Sequence, residues 1–152
     1  MQYAGFWKRF FAYLIDILPI ALLVFAFYYF FRDFDEVLMV YMNDPGYPLA
    51  RVDFLVQRNQ IRDITGLLWL IYGFVMDCSK FQGTLGKQLM DIKVASVDGG
   101  RLSVGRSLIR TLIKIVGAIV LMLGYIWAAF RDDKATWHDL AAKSRVIERS
   151  DA

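Results

Sequence analysis

Twenty-two consecutive residues, Phe10 to Phe31, are apolar except for Asp16 and Pro19. A helix over this run is about 33 Å long, which matches a bilayer hydrocarbon core of about 30 Å. Lys8 and Arg9 precede it like the basic end of a secretory signal. The run is nevertheless too long for one, it holds an aspartate, and no small-residue cleavage site follows, so an uncleaved membrane helix is expected. A mean hydropathy of +0.40 and 57% hydrophobic residues are high for a water-soluble chain. The 152 residues fit one domain, and the single cysteine, Cys78, rules out an intramolecular disulfide framework.

Two further apolar stretches follow. Ile64 to Cys78 is short and ends on Asp77, and flanking residues would extend it to a span over about 62–80. Ser107 to Phe130 changes character along its length. In its first half Arg106, Arg110 and Lys114 recur every four residues, opposite Leu108, Leu112, Ile115 and Ile119. This spacing predicts an amphipathic helix whose basic face, together with Lys8, meets anionic lipid headgroups. Only Ile115 to Phe130 is uncharged, about 24 Å of helix, a marginal crossing.

Basic residues set the expected orientation. The N-terminus carries Lys8 and Arg9, the segment 79–106 carries five basic residues against two acidic, and the tail from Arg131 carries five basic residues. The segment 32–63 has four basic and six acidic residues. The positive-inside rule puts 32–61 outside and 81–103 and 131–152 in the cytoplasm, with a cytoplasmic N-terminus. Both flanks of 104–130 are then inside. That stretch is either a re-entrant or interfacial hairpin bending near Gly117 or Gly124, which charge placement favours, or a plain third span with the tail outside. Asp91 to Val97, ending on Asp98-Gly99-Gly100, and Ser144 to Glu148 alternate like strands and would pair if both are cytoplasmic. Asn43 to Pro48 is rich in turn residues, and no internal repeat is visible. The expected fold is an all-α membrane protein: two transmembrane helices, a third membrane-embedded segment, and a small cytoplasmic β-pair, in one domain.

Four ordered motifs carry a resemblance. Ala4 to Asp16 (AGFWKRFFAYLID), Gly83 to Val94 (GTLGKQLMDIKV), Asp98 to Arg110 (DGGRLSVGRSLIR) and Trp137 to Ala141 (WHDLA) resemble the RDD family of small membrane proteins. The family is named for an arginine at the start of the first helix, an aspartate within it, and a second aspartate near the C-terminus. The resemblance assigns those places to Arg9, Asp16 and Asp139. It implies a transport role, cation/proton exchange having been attributed to some members. Asp132-Asp133 departs from the Asp-Pro often found after the last apolar stretch.

The residues also support a reading of their own. A carboxylate at the depth of Asp16 costs roughly 2.5–3.5 kcal/mol unless partnered. Pro19 releases the carbonyl of Ile15, and a carboxylate beside a free carbonyl can seat a proton or a small hard cation. The competing reading is a packing role, in which Asp16 pairs with an arginine or hydroxyl. Asp77 has Lys80 one turn away as a partner, and Arg9 has Asp139 if the tail is cytoplasmic. His138, beside Trp137, reads as an interfacial polar residue.

Enzyme signatures fail. Gly83-Thr-Leu-Gly86-Lys87 is two residues short of a phosphate loop and is followed by Gln88, and no metal-spaced His or Cys set exists. Basic residues without a stacking surface argue against nucleic-acid binding. The expectation is a non-enzymatic protein of the inner membrane without a cofactor or metal. Three short apolar segments enclose too little for a pathway, so a homo-oligomer or other membrane subunits are implied. The chain is then either a small-ion or small-solute transport component using Asp16, or an accessory subunit of a larger membrane complex.

Overall fold

A computed structural model describes residues 2–119 and 136–149. These form mostly helices: α1 (Phe6–Phe31), α2 (Phe34–Asn43), α3 (Pro48–Cys78), α4 (Leu85–Leu89), α5 (Val104–Ile119) and α6 (Trp137–Ala141), with strands β1 (Ile92–Ser96) and β2 (Ser144–Glu148). The chain divides into two compact units, Met1–Asp16 with Leu70–Ala152, and Ile17–Trp69.

α1 stays helical through Pro19. Its most apolar 18-residue stretch has a mean hydropathy of 2.4 and is only 17% buried, as expected where lipid rather than protein covers a helix. Among the described residues it is the one helix long and apolar enough to cross a membrane. α3 is 31 residues long, but Arg62, Asp63 and Asp77 flank its apolar part.

The segment 32–61, expected as a loop, is largely helical. Its turn residues break the chain between α2 and α3, where Asp44 accepts from the Gly46 amide on its side chain (3.1 Å) and from the Tyr47 amide on its carbonyl (3.1 Å). α5 runs unbroken through Gly117, so the chain does not bend there. Gly124, Asp132-Asp133 and the question whether 104–130 spans or re-enters lie outside the described residues.

The expected β-pair forms. β1 and β2 are antiparallel, with Ile92 opposite Glu148, Val94 opposite Val146 and Ser96 opposite Ser144. The N-terminal residues extend this sheet through a bridge from Tyr3 to Ile147 and a hydrogen bond from the Ala4 amide to the Val146 carbonyl (3.0 Å). Ala4, Ala12, Ile92, Val94, Leu102 and Val146 form the core beneath it.

A short structural repeat is present that the residue types do not show. Thr84 and Thr136 each cap a five-residue helix by accepting from the amide three residues on. Asp91 and Lys143 each follow with a left-handed backbone (φ 55° and 46°) and lead into a five-residue strand. Corresponding positions lie 52 residues apart throughout, and Val94 and Val146, themselves counterparts, face each other at the centre of the ladder. Residue types hid this relation, since little beyond the capping threonines and the central valines is shared.

Candidate functional site

The polar face of α5 points inward. Ser107, Arg110 and Lys114 are buried, while Leu108, Ile109, Leu112, Ile115 and Val116 are exposed. That reverses the amphipathicity of a helix in water and suits one whose outer face meets lipid. It corrects the assignment of Arg110 and Lys114 to lipid headgroups. Lys8 and Arg106 do remain near the surface: Lys8 pairs with Glu148 (2.6 Å), and Arg106 with Asp98 (3.1 Å) and Ser96.

Ser107 sets the depth of α5 by donating from Oγ to the carbonyl of Phe74 in α3 (2.9 Å). One turn on, the Arg110 guanidinium reaches three elements. Its Nε lies 3.3 Å from Asp77 Oδ2, and its Nη1 donates to Asp139 Oδ1 and to Ser144 Oγ (2.8 Å). Lys114 Nζ approaches Asp77 Oδ2 from the next turn (3.6 Å), and Lys87 Nζ donates to Asp77 Oδ1 from α4 (2.5 Å). Lys80, the partner expected for Asp77, instead lies over the Phe81 ring (5.2 Å). The chain reverses after Cys78, where the Gly83 amide returns to the Met76 carbonyl (3.1 Å) and brings α4 back toward α3.

Asp139 is fully buried and heavily used. Arg9 Nη1 donates to its Oδ2 (2.7 Å), as do the Thr136 amide (3.1 Å) and the Thr136 hydroxyl (2.7 Å). That hydroxyl has one proton, which Asp139 takes. His138 Nε2, 2.9 Å from the same oxygen, must therefore be the donor in that contact, which fixes its tautomer. Burial disfavours the charged form of Asp139, but Arg110 and Arg9 outweigh it and hold the carboxyl well below the usual carboxylate range. Burial also pulls His138 well below the usual imidazole value and Lys87 below the usual lysine value, although a neighbouring aspartate opposes each shift.

Asp16 stands apart. Its Oδ1 accepts from the Gly86 amide (2.8 Å), and Tyr72, whose hydroxyl accepts from the Leu85 amide (2.7 Å), lies beside it. The contact requires glycine: a Cβ on Gly86 would stand 2.1 Å from the Ala12 carbonyl oxygen. Asp16 thus docks the start of α4 against α1.

The structure therefore joins Arg9, Asp77 and Asp139 in one network and adds Lys87, Arg110 and Lys114. Four cations share two carboxylates there among the described residues. The motif Gly83 to Val94 contained Lys87, but its sequence distance from Asp77 gave no sign of the pairing. Among the described residues no three His, Cys, Asp or Glu side chains gather as a metal set.

Arg9 thus pairs with Asp139, and Asp16 holds the Gly86 amide. The RDD family model matches residues 3–143. The chain belongs to the RDD family. This RDD chain is also similar to the uncharacterized protein YxaI of Bacillus subtilis (strain 168), 31% identical over 148 residues, covering 95% of this chain and 96% of that protein. No solved structure matches.

Proposed function

We propose that this RDD chain is a multi-pass component of small-ion transport in the inner membrane, in which the Asp77–Arg110–Asp139 network, rather than Asp16, is the ion-responsive element. The observation that carries the reading is the inside-out α5, with Arg110 and Lys114 buried beneath an exposed apolar face. Charges buried in a membrane-facing segment are costly, and ion pathways and relays are built from such groups. Asp77 has two oxygens contacted by three cations, so protonating it or displacing one cation would redistribute the others. Asp16 already serves an amide and is a poorer exchange site.

A second span over about 62–80 and a cytoplasmic N-terminus complete the proposal. Support comes from the packing of Ala4 and Arg9 against residues 136–149, which fits these two segments lying on one face of a membrane. On a Cys78→Ser background, an impermeant thiol reagent should label Gly46→Cys but not Ser150→Cys in intact cells. Labelling of both would refute this arrangement.

The transport reading is tested by reconstituting the purified chain in liposomes loaded with a pH-sensitive dye and pulsing sodium, lithium or potassium. Ion-dependent proton movement should occur with wild type and Asp16→Asn and be lost in folded Asp77→Asn. The second reading, an accessory subunit, is favoured by the packing role of Asp16. Silence of the wild-type chain, with stoichiometric co-purification of another membrane protein, would establish it instead.

A further inference from the structure

Where α1 begins, a groove of about 330 Å3 opens between its first turn and the sheet edge, lined by Tyr3, Phe6, Trp7, Lys8 and Glu148 among others. Trp7 is 66% exposed and Phe11 46%, and Trp7 packs on Phe6 (5.5 Å) and Phe11 (6.2 Å) between ring centres. Exposed tryptophan and tyrosine at the mouth of a membrane-crossing helix belong at headgroup depth. The groove also holds charges of both signs, because Lys8 Nζ pairs with Glu148 Oε1 at 2.6 Å.

We infer that this groove binds the headgroup of a phospholipid carrying a primary amine, phosphatidylethanolamine in chemical class. A lysine ammonium has three donors and a carboxylate two acceptor oxygens, and the Lys8–Glu148 pair occupies only one of each. The pair therefore offers N–H groups to a phosphate and a second oxygen, Oε2, to an ammonium. The Lys8 and Glu148 side chains are 40% and 21% exposed, so both ends are reachable. A phosphate on Lys8 and a lipid ammonium on Glu148 close a four-charge ring of alternating sign. An anionic headgroup without an amine satisfies Lys8 and leaves its negative charge beside Glu148. A quaternary choline has no N–H for the carboxylate. The site thus replaces the general attraction of Lys8 to anionic lipid with a preference for one zwitterionic headgroup, and it does not depend on any transport activity.

The test uses the full-length chain in nanodiscs containing equal phosphatidylethanolamine, phosphatidylcholine and phosphatidylglycerol, with the lipid retained after mild detergent extraction counted by native mass spectrometry. One charge-assisted hydrogen bond corresponds to a preference of about tenfold, so wild type should retain the ethanolamine lipid over the glycerol lipid by about that factor. Glu148→Gln should bring the ratio close to one, and Lys8→Gln should reduce retention of both. The Glu148 backbone amide bonds to the Gln2 carbonyl whatever its side chain, so Glu148→Gln keeps the sheet edge. Glu148→Asp, which keeps the carboxylate, should keep the preference. Equal retention by wild type, enrichment of the glycerol lipid, or an unchanged ratio in folded Glu148→Gln would each overturn the inference.

Discussion

The two units solve the problem of burial in opposite ways. In Ile17–Trp69 the interior is rings and aliphatics: Val24, Tyr28 and Phe34 pack with Ile20, Phe54 and Ile61, and Phe54 stacks flat on Tyr41 at 4.3 Å. Its ion pair, Arg62 with Asp63, is about two-thirds exposed at both partners. In the other unit Asp77, Arg110 and Asp139 are almost completely buried. An exposed pair contributes about 0–1 kcal/mol, whereas a buried one must balance a large desolvation cost and is severely missed when one partner goes. Similar ionic chemistry is therefore nearly dispensable in one region and indispensable in the other.

Removing one carboxylate from each unit should separate them most. Asp139→Ala strips Arg9 and Arg110 of a shared acceptor and should cost about 3–5 kcal/mol or prevent folding. Asp63→Ala should stay within about 0.5 kcal/mol. Thermal unfolding in detergent reads both, and equal losses would erase the distinction.

Glycines give the next largest contrast. Gly86→Ala drives a methyl into the Ala12 backbone and should cost about 3 kcal/mol, also releasing α4, which carries Lys87. Gly66→Ala, in the interior of α3 with open space around it, should be neutral or stabilise by up to about 1 kcal/mol. Protease sensitivity of the 79–90 segment should rise only in the first.

Double-mutant cycles should separate the two kinds of pair as well. Arg9→Ala and Asp139→Ala should couple by about 1–3 kcal/mol, and Arg62→Ala with Asp63→Ala by less than about 0.5 kcal/mol.

The smallest effect is on pH dependence. Burial depresses the pKa of folded His138 below its unfolded value of about 6.5, so the unfolded chain binds more protons as pH falls. Stability should therefore decline from about pH 6.5 downward, by at most about 1.4 kcal/mol per pH unit for this one group. Asp139, also depressed, contributes fully above about pH 3.9 and is lost below it. His138→Gln should flatten melting temperature against pH between about pH 6.5 and 5 while leaving the steeper fall at lower pH.

What the sequence made legible follows these physical lines. The alternation in Asp91–Val97 and Ser144–Glu148 announced a pair of strands, because a two-residue period survives in any environment. The length of α1 announced a crossing, though the chain turns helical four residues before the apolar run. The face of α5 was visible but its direction was not, since periodicity separates two faces without saying which solvent each one meets. Asp77 misled for a different reason. Its nearest lysine in sequence, Lys80, sits on a reversing turn, and its actual partners arrive from α4 and α5.

Asp139 and β2 follow Arg9 and Arg110 in the chain, yet both arginines and the N-terminal bridge await them. During synthesis α1 is made first and its arginine last finds its acid. Until the ribosome has released β2, the inward face of α5 carries cations without Asp139, and β1 has no neighbour from β2. A chain interrupted before Thr136 keeps its apolar helices and lacks the acid those cations wait for. The order of synthesis thereby makes the segment 136–149 a latch, the piece that closes around cations already in place.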